Sequence, residues 1–171
     1  MQLFLIRHAI AVERSEGLDD TARPLTEKGR RRFAMSVGGL ERLKIQLDQV
    51  FHSPWLRAVQ TAELLAPITV GRRQTTELLA TDPGPSLLDL AGWFDSGSRI
   101  AFVGHEPWMG EFLSLCLTGT TEHGEALPFK KGAVAWLTGD PVPGGLELTA
   151  MLPPRPLRRL ALEMELSIEL D

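Results

Sequence analysis

The sequence predicts a three-layer α/β/α fold with a mainly parallel central sheet. Fully apolar runs such as Leu3–Ile6 and Ile100–Val103 are typical of strands that are buried on both faces. The segments between such runs carry apolar residues at helical spacing, and this alternation favours a parallel sheet covered by helices on both sides. With 171 residues, 43% of them hydrophobic, we expect a single domain over 1–171 with a continuous core.

The first half of the chain contains two predicted helices with recognisable start signals. Thr26 is placed to cap a helix. The apolar face of that helix comprises Phe33, Val37, Leu40 and Leu43. Gln49–His52 is predicted to be the second strand. Ser53 as N-cap and Pro54 at the first helical position predict a helix that ends before Pro67.

The middle of the chain continues the same alternation. Thr75–Leu79 is predicted to be a strand, and Ser86 is predicted to cap the helix that follows it. After the strand Ile100–Val103 comes a helix over Trp108–Leu117, which ends at Gly119 because glycine readily adopts the left-handed conformation that closes helices.

The last third of the chain departs from this alternation. Ala133–Leu137 and Leu146–Leu152 predict two strands joined by a turn rich in Gly and Pro. Beyond Pro153, every even position from Leu160 to Leu170 is apolar. Strict alternation predicts a strand with one buried face, although the residue types alone would favour a helix.

Composition excludes several classes of protein. A net charge of −4 argues against a nucleic-acid-binding protein. Met1–Ile10 is expected to be a buried strand, not a signal peptide, and the chain lacks an apolar run of membrane-spanning length. Cys116 is the only cysteine, so no internal disulfide forms, and we expect a cytoplasmic protein. The four histidines show no metal-ligand spacing and no nucleotide-binding glycine loop is present, so neither a metal nor a cofactor is expected.

Polar residues follow three of the predicted parallel strands. Arg7 and His8 come after the first strand, Ser53 after the second, and His105 after Ile100–Val103. Because parallel strands end at the same edge of a sheet, these side chains are expected to meet there. Arg57 lies about one helical turn after Ser53, so its side chain can lean back over the same edge. The cluster predicts a binding site for a dense anion such as a phosphoryl group.

The segments that contain these residues resemble a known family. Leu5–Ala9 contains an Arg-His pair, Ser53–Thr61 reads Ser-Pro-x-x-Arg-Ala-x-Gln-Thr, and Val103–Pro107 contains the second histidine. Together they are similar to the motifs of the histidine phosphatase (phosphoglycerate-mutase-like) superfamily. Asp20–Gly29 contains Arg-Pro-Leu-Thr-x-x-Gly and resembles the short SixA-like phosphohistidine phosphatases of that superfamily. Ala9 stands where the family usually has Gly, and it fits if its φ stays negative.

The resemblance implies roles for the conserved motif positions of the family. His8 would be the nucleophile that is transiently phosphorylated, and Arg7, Arg57 and His105 would complete the catalytic set. The residues implied in phosphate binding are Arg7, Arg23, Ser53, Arg57 and His105. Trp55 and Trp108 adjoin the motifs and are candidates for the rim of the pocket.

The general acid is open at the level of sequence. Candidate carboxyl groups are Glu77, Asp82, Asp20 and Glu106. An ester leaving group needs a proton from such a group, whereas the leaving nitrogen of a phosphoramidate needs less help. The absence of a clearly placed acid therefore favours phosphohistidine on a protein as the substrate, with inorganic phosphate as product.

Two alternative functions remain at this stage. One is a phosphatase for small phosphate esters, and the other is a phospho-ligand-binding module without turnover. The presence of His8, Arg57 and His105 together argues against the binding module, because binding alone does not need a nucleophile.

Overall fold

A six-stranded sheet forms the centre of the protein in the computed structural model, which describes residues 1–17, 19–81 and 84–162. The strands are β1 (Gln2–Arg7), β2 (Gln49–His52), β3 (Arg73–Thr75), β4 (Arg99–Gly104), β5 (Val134–Gly139) and β6 (Leu146–Leu152). They lie in the order β3-β2-β4-β1-β5-β6. The first four strands in this order are parallel, and β5 and β6 run antiparallel to their neighbours. The predicted mainly parallel sheet is therefore confirmed.

Five α-helices in the described part of the chain cover the two faces of this sheet. They are α1 (Glu27–Arg42), α2 (Leu56–Leu64), α3 (Ser86–Gly92), α4 (Trp108–Thr118) and α5 (Pro154–Leu162). Leu3 and Leu5 of β1 belong to the apolar cluster with α3 and α4. Phe4 and Ile6 of the same strand belong to the cluster with α1, α2 and α5. Since successive strand residues point to opposite faces, the sheet is buried on both sides and the three layers are confirmed.

Several local predictions are confirmed. The side chain of Thr26 accepts a hydrogen bond of 2.9 Å from Gly29 N at the start of α1. Gly119 ends α4 with φ of 81°, in the left-handed region. Cys116 lies in the core, and burial raises the pKa of its thiol to about 12.

Two predictions of element boundaries are wrong. Ser53 does not cap α2: the helix begins at Leu56 after Trp55, and Ser53 Oγ accepts a hydrogen bond from Trp55 N at 3.2 Å instead. Thr75–Leu79 is not a strand, because β3 ends at Thr75 and Glu77–Leu79 forms a 3₁₀ turn, in which Thr76 Oγ1 accepts from Leu78 N. The strand β3 lies at the edge of the sheet and its residues are exposed. It therefore lacks a buried apolar face that would favour a longer strand.

The helix α3 also starts differently from the prediction. Ser86 is its first residue, and the capping position is occupied by Pro85, which has no side-chain hydrogen-bond acceptor. Leu87 and Leu88 are buried immediately afterwards. Packing of this apolar turn, not a side-chain cap, therefore defines where the helix begins.

The tail prediction is wrong where the structure describes it. Leu160 and Leu162 lie in the helix α5, not in a strand, and the remainder of the predicted strand lies outside the described residues. Leu157 of α5 is fully buried against α1. The close approach depends on Gly39, where an added Cβ would lie 2.1 Å from Leu157 O.

The strand register brings the predicted site residues together. Arg7 at the end of β1 pairs with Gly104 of β4, and Val103 of β4 pairs with His52 of β2. The three carboxyl ends therefore meet at one edge, above which the site lies. None of the helices in the described part of the chain is long and apolar enough to cross a membrane.

Candidate active site

His8 lies on the chain just after β1 and presents one ring nitrogen to the site. Its side chain is buried, with the residue 5% exposed. Nδ1 lies 2.7 Å from the carbonyl oxygen of Ala9, and Nε2 accepts a hydrogen bond of 3.2 Å from Nε of Arg57. A carbonyl only accepts, so the ring proton belongs on Nδ1 and the lone pair on Nε2. The φ of Ala9 is negative, so alanine fits at this position, where the family usually has Gly.

The environment of His8 keeps its imidazole neutral. Burial lowers the pKa of His8 to about 3, and the hydrogen bond to Ala9 only partly opposes this shift. The positive charges of Arg57 and Arg7 lower the pKa further. At neutral pH, Nε2 therefore has an available lone pair, as a nucleophile requires.

Arg57 projects from the first turn of α2 into the site. The residue is 2% exposed. Besides His8, its guanidinium donates to the backbone oxygen of Asp20 at 2.6 Å and to the Asp20 carboxylate at 3.1 Å. The guanidinium also lies 4.5 Å from the centroid of the Trp55 ring. These contacts determine the orientation of Arg57 before any substrate binds.

Asp20 joins three arginines. One carboxylate oxygen accepts from Nε of Arg14 and from Nε of Arg23, each at 2.8 Å, and the other accepts from Arg57. Burial alone would raise the pKa of Asp20, but its hydrogen bonds to Arg14 and Arg23 and the charge of Arg57 lower it to about 2. Arg23 also donates to Val12 O at 2.6 Å. Asp20 thus links the loop after β1 to α2.

His105 lies at the end of β4, and its ring centroid is 5.1 Å from that of His8. The residue is 3% exposed, and neither ring nitrogen has a hydrogen-bond partner among the described residues. Burial lowers the pKa of His105 to about 2, with further lowering from His8 and Arg57. A buried polar group without a partner is costly. The two nitrogens of His105 therefore indicate a ligand that would accept or donate a hydrogen bond there.

Arg7 and Glu106 lie beside the two histidines. Arg7 donates through Nη1 to Phe129 O, while its buried Nε has no partner in the described part of the chain. Glu106 Oε1 accepts from Phe129 N, and Oε2 accepts from Gly110 N at 3.2 Å. Both oxygens of Glu106 thus accept backbone N–H groups and join the start of α4 to the segment before β5.

These groups form the floor of an open cleft of about 520 Å³. Its lining is cationic at the floor and mixed at the rim, and comprises Arg7, His8, Glu13, Arg14, Arg23, Trp55, Arg57, His105, Glu106, Pro107, Trp108 and Lys131. The rings of Trp55 and Trp108 lie 4.5 Å and 6.4 Å from the ring of His105, measured between centroids. Both tryptophans proposed for the rim therefore line the cleft.

Some predicted site residues do not line the cleft. Ser53 is fully buried below it, and Glu77 is exposed on the 3₁₀ turn after β3. Asp82 lies outside the described residues. Sequence reasoning also missed Arg14 and Lys131 at the rim, and neither lies in a motif that distinguishes it from an ordinary surface cation.

The chemistry available in the cleft is that of an anion site with a nucleophile. Cationic and N–H donors surround the Nε2 atom of His8, and they are suited to a tetrahedral or trigonal oxyanion. Within 1–17, 19–81 and 84–162, no group of three or more His, Cys, Asp or Glu side chains is arranged to hold a metal ion.

The chain belongs to the histidine phosphatase superfamily, and its mostly parallel six-stranded sheet has the fold of that superfamily. The profile of the Histidine phosphatase superfamily (branch 1) matches residues 3–80. An uncharacterized protein of a Picosynechococcus species is 34% identical over 143 residues, which cover 80% of this chain and 84% of the relative.

Within the superfamily, the similarity is to SixA proteins. The phosphohistidine phosphatase SixA of Escherichia coli is 36% identical over 63 residues, but this match covers only 37% of this chain and 38% of that protein. The structure of the protein histidine phosphatase SixA with tungstate has a TM-score of 0.76 at 25% identity, covering 92% of this chain and 99% of that chain.

Proposed function

We propose that the protein is a phosphatase in which Nε2 of His8 accepts a phosphoryl group from phosphohistidine on a protein and transfers it to water. The observation that carries this proposal is the state of His8. Its proton is held on Nδ1 by Ala9 O, and its pKa of about 3 leaves Nε2 unprotonated among cations. A residue that served only to bind phosphate would not need a free lone pair.

In the first step, the Nε2 lone pair forms a bond to phosphorus while the bond to the leaving nitrogen breaks, and that nitrogen keeps the electron pair. Arg57 donates to Nε2 in the free protein and would move its hydrogen bond to a phosphoryl oxygen. Arg7 and His105 also line the cleft and have ring or guanidinium nitrogens without a partner in the described residues, and these groups would bind further oxygens. Removal of one such donor typically slows a reaction by about a hundredfold or more.

In the second step, water attacks phosphorus and the bond to Nε2 breaks. Because Ala9 O retains the proton on Nδ1, phospho-His8 is an imidazolium, and His8 leaves as a neutral imidazole. The proton lost by water goes to the phosphate product. The backbone acceptor thus favours both steps: by holding the proton on Nδ1, it leaves the lone pair of Nε2 free in the first step and lets His8 leave as a neutral imidazole in the second.

The state of the carboxylates supports a phosphoramidate substrate. Asp20 is ionised in its arginine cluster, and Glu106 uses both oxygens for backbone N–H groups. When the phosphohistidine of the substrate is protonated on its other ring nitrogen, its imidazole leaves in the neutral form without an enzymatic acid. The alcohol part of an ester would instead leave as an alkoxide. The open cleft and its exposed rim residue Arg14 are suited to a protein surface, and the similar SixA proteins are described as phosphohistidine phosphatases.

A labelling experiment tests the nucleophile. The protein is mixed with a substrate carrying labelled phosphate, quenched, and the labelled peptide is mapped. We expect an acid-labile, base-stable label on His8, no label and no turnover in His8→Asn, and slower labelling at the same position in His105→Ala. His52→Asn is the matched control, because His52 is also buried and its Nδ1 also lies against the next carbonyl, at 3.0 Å, but it does not line the cleft.

Rates on different substrates test the substrate class. A phosphohistidine protein, phosphoramidate and a panel of phosphate esters are compared at equal concentration. Faster turnover of esters than of either phosphoramidate would refute the phosphohistidine assignment in favour of a small-molecule phosphatase. Label on His105, or turnover by His8→Asn, would refute the nucleophile.

A further inference from the structure

A second, smaller cavity lies on the other side of the chain segment that follows His8. It has a volume of about 140 Å³ and lies between α1 and α5. Small-molecule pockets usually measure about 300–1,000 Å³, so this cavity fits a single side chain or a small ion. Ala9 and Phe33 form part of its apolar wall, and the cationic residues Arg32, Lys131 and Arg158 complete it.

The walls of this cavity are held together by specific contacts. Ser36 Oγ is fully buried and lies 3.1 Å from Arg32 O in α1 and 3.4 Å from Pro154 O in α5. Pro154 O also accepts a hydrogen bond of 3.0 Å from Nη1 of Arg158. Arg158 is thereby directed by the same atom that joins the two helices, so its charge is positioned before any ligand arrives.

The charge in the cavity is one-sided. Arg32, Lys131 and Arg158 line it. Among the described residues, no acidic side chain lines the cavity and none forms an ion pair with any of these three cations. Burial lowers the pKa of Arg158, and the charges of Arg32 and Arg155 lower it further. This concentration of cations occurs in a chain whose net charge is −4. Unpaired cations around a cavity favour an anionic ligand.

The cavity adjoins the catalytic cleft. Lys131 lines both, and Ala9, which lines the cavity, directly follows His8. A macromolecule that placed one acidic group in the cavity would cover the cleft with the neighbouring part of its surface. A small phosphate ester or free phosphoramidate is expected to occupy only the cleft.

We propose that the cavity between α1 and α5 is a docking site for a carboxylate side chain on the protein substrate. The inference rests on the proposed function, because it concerns the protein that carries the phosphohistidine. Under this inference, Arg32 and Arg158, which lie outside the cleft, give the enzyme its preference for protein substrates. A protein substrate would contact both the cleft and the cavity, whereas a small substrate would contact the cleft alone.

The test compares two double variants. Arg32→Gln/Arg158→Gln removes two charges from the cavity, and Arg72→Gln/Arg73→Gln removes two from the exposed segment at β3, away from both cavities. We expect the first variant to raise KM for a phosphohistidine protein about tenfold while kcat/KM for phosphoramidate stays unchanged. The β3 variant is expected to match the wild type on both substrates. Arg32→Glu, which changes one exposed residue, repeats the test should the double variant fold poorly.

A binding measurement keeps the inference separate from the proposed function. Fluorescence anisotropy of a rhodamine-labelled oligoglutamate peptide is expected to show affinity that falls about tenfold in Arg32→Gln/Arg158→Gln and remains in the β3 variant. Absence of turnover by the wild type would refute the proposed function, and the peptide result would then decide the inference alone. Equal KM and equal peptide affinity in all three proteins would overturn the inference while leaving the proposed function intact.

Discussion

Replacement of His8 by Asn is expected to weaken the pH dependence of stability. The folded protein holds His8 neutral, with a pKa of about 3 against an ordinary value of 6.5. Between these values the unfolded chain binds a proton that the folded chain does not. The free energy of unfolding therefore falls as pH falls below about 6.5, and this loss continues until pH approaches about 3.

The size of the effect follows from the shift. From about pH 7 to about pH 5, protonation of one histidine in the unfolded chain lowers the free energy of unfolding by about 2 kcal/mol, at about 1.36 kcal/mol per pH unit. His105, with a pKa of about 2, adds a similar amount. His8→Asn removes one of the two contributions and keeps an amide N–H that can donate to Ala9 O. Its stability should therefore depend less on pH, by about 2 kcal/mol over this range.

Urea unfolding followed by circular dichroism at the two pH values measures this difference. Any pH-independent destabilisation by the substitution cancels, because only the change between the two pH values is compared within each protein. If wild type and His8→Asn lose the same stability on acidification, His8 is not held neutral. The argument that Nε2 is a free nucleophile would then fail with it.

Three further predictions concern other parts of the molecule. Asp20→Asn should lower kcat about ten- to hundredfold, because Arg57 loses a partner that orients it. Inorganic phosphate should inhibit this variant more strongly than the wild type, because a negative charge near the cleft has been removed. Weaker inhibition by phosphate would contradict this. Gly39→Ala places a Cβ 2.1 Å from Leu157 O and should destabilise the fold by about 2 kcal/mol or more in urea unfolding. Gly38→Ala is the control, because the nearest atom to its added Cβ lies at 3.4 Å. It should leave stability unchanged or raise it by up to about 1 kcal/mol. EDTA should leave activity unchanged because arginine side chains supply the positive charge at the cleft, and loss of activity that a divalent ion restores would refute this.

The position of the main site residues could be predicted because it depends on strand register. His8 and His105 each follow a buried apolar run, and parallel pairing of those runs is enough to place both at one edge. Arg57 could be predicted because it lies at the start of the helix that follows the next strand. For these residues, local pattern and sheet topology determine the geometry together.

The arginine cluster around Asp20 could not be predicted in the same way. Its geometry depends on how the loop from Glu13 to Pro24 folds back over α2, and loop paths are not encoded in hydrophobic periodicity. The same reason explains why Lys131 was missed. It reaches the cleft through the turn before β5, where Gly132 N donates to Arg7 O and His8 O.

The error in the tail has a different physical cause. When apolar residues occupy every second position, alternate ones are four positions apart, which is also a helical spacing. Alternation over a short segment therefore does not distinguish a strand from a helix. Tertiary packing decides between them. Leu157 is buried where Gly39 allows α5 to approach α1, and this contact cannot be read from the alternating residues themselves.

Burial and one cationic arrangement together keep His8 neutral, and the same arrangement would favour an anion at the site. Burial lowers the pKa of His8 most, the charges of Arg57, Arg7 and Lys131 lower it as well, and those charges would attract a phosphoryl group to its Nε2 atom. Under the proposed mechanism, the imidazolium charge of phosphorylated His8 is offset by the negative charge of the phosphoryl group bonded to it. Asp20 neutralises part of the cationic cluster in the free protein and so would limit how tightly phosphate binds. A carboxylate that weakens anion binding is useful in a phosphatase, because the product is itself an anion that must leave the site before the next turnover.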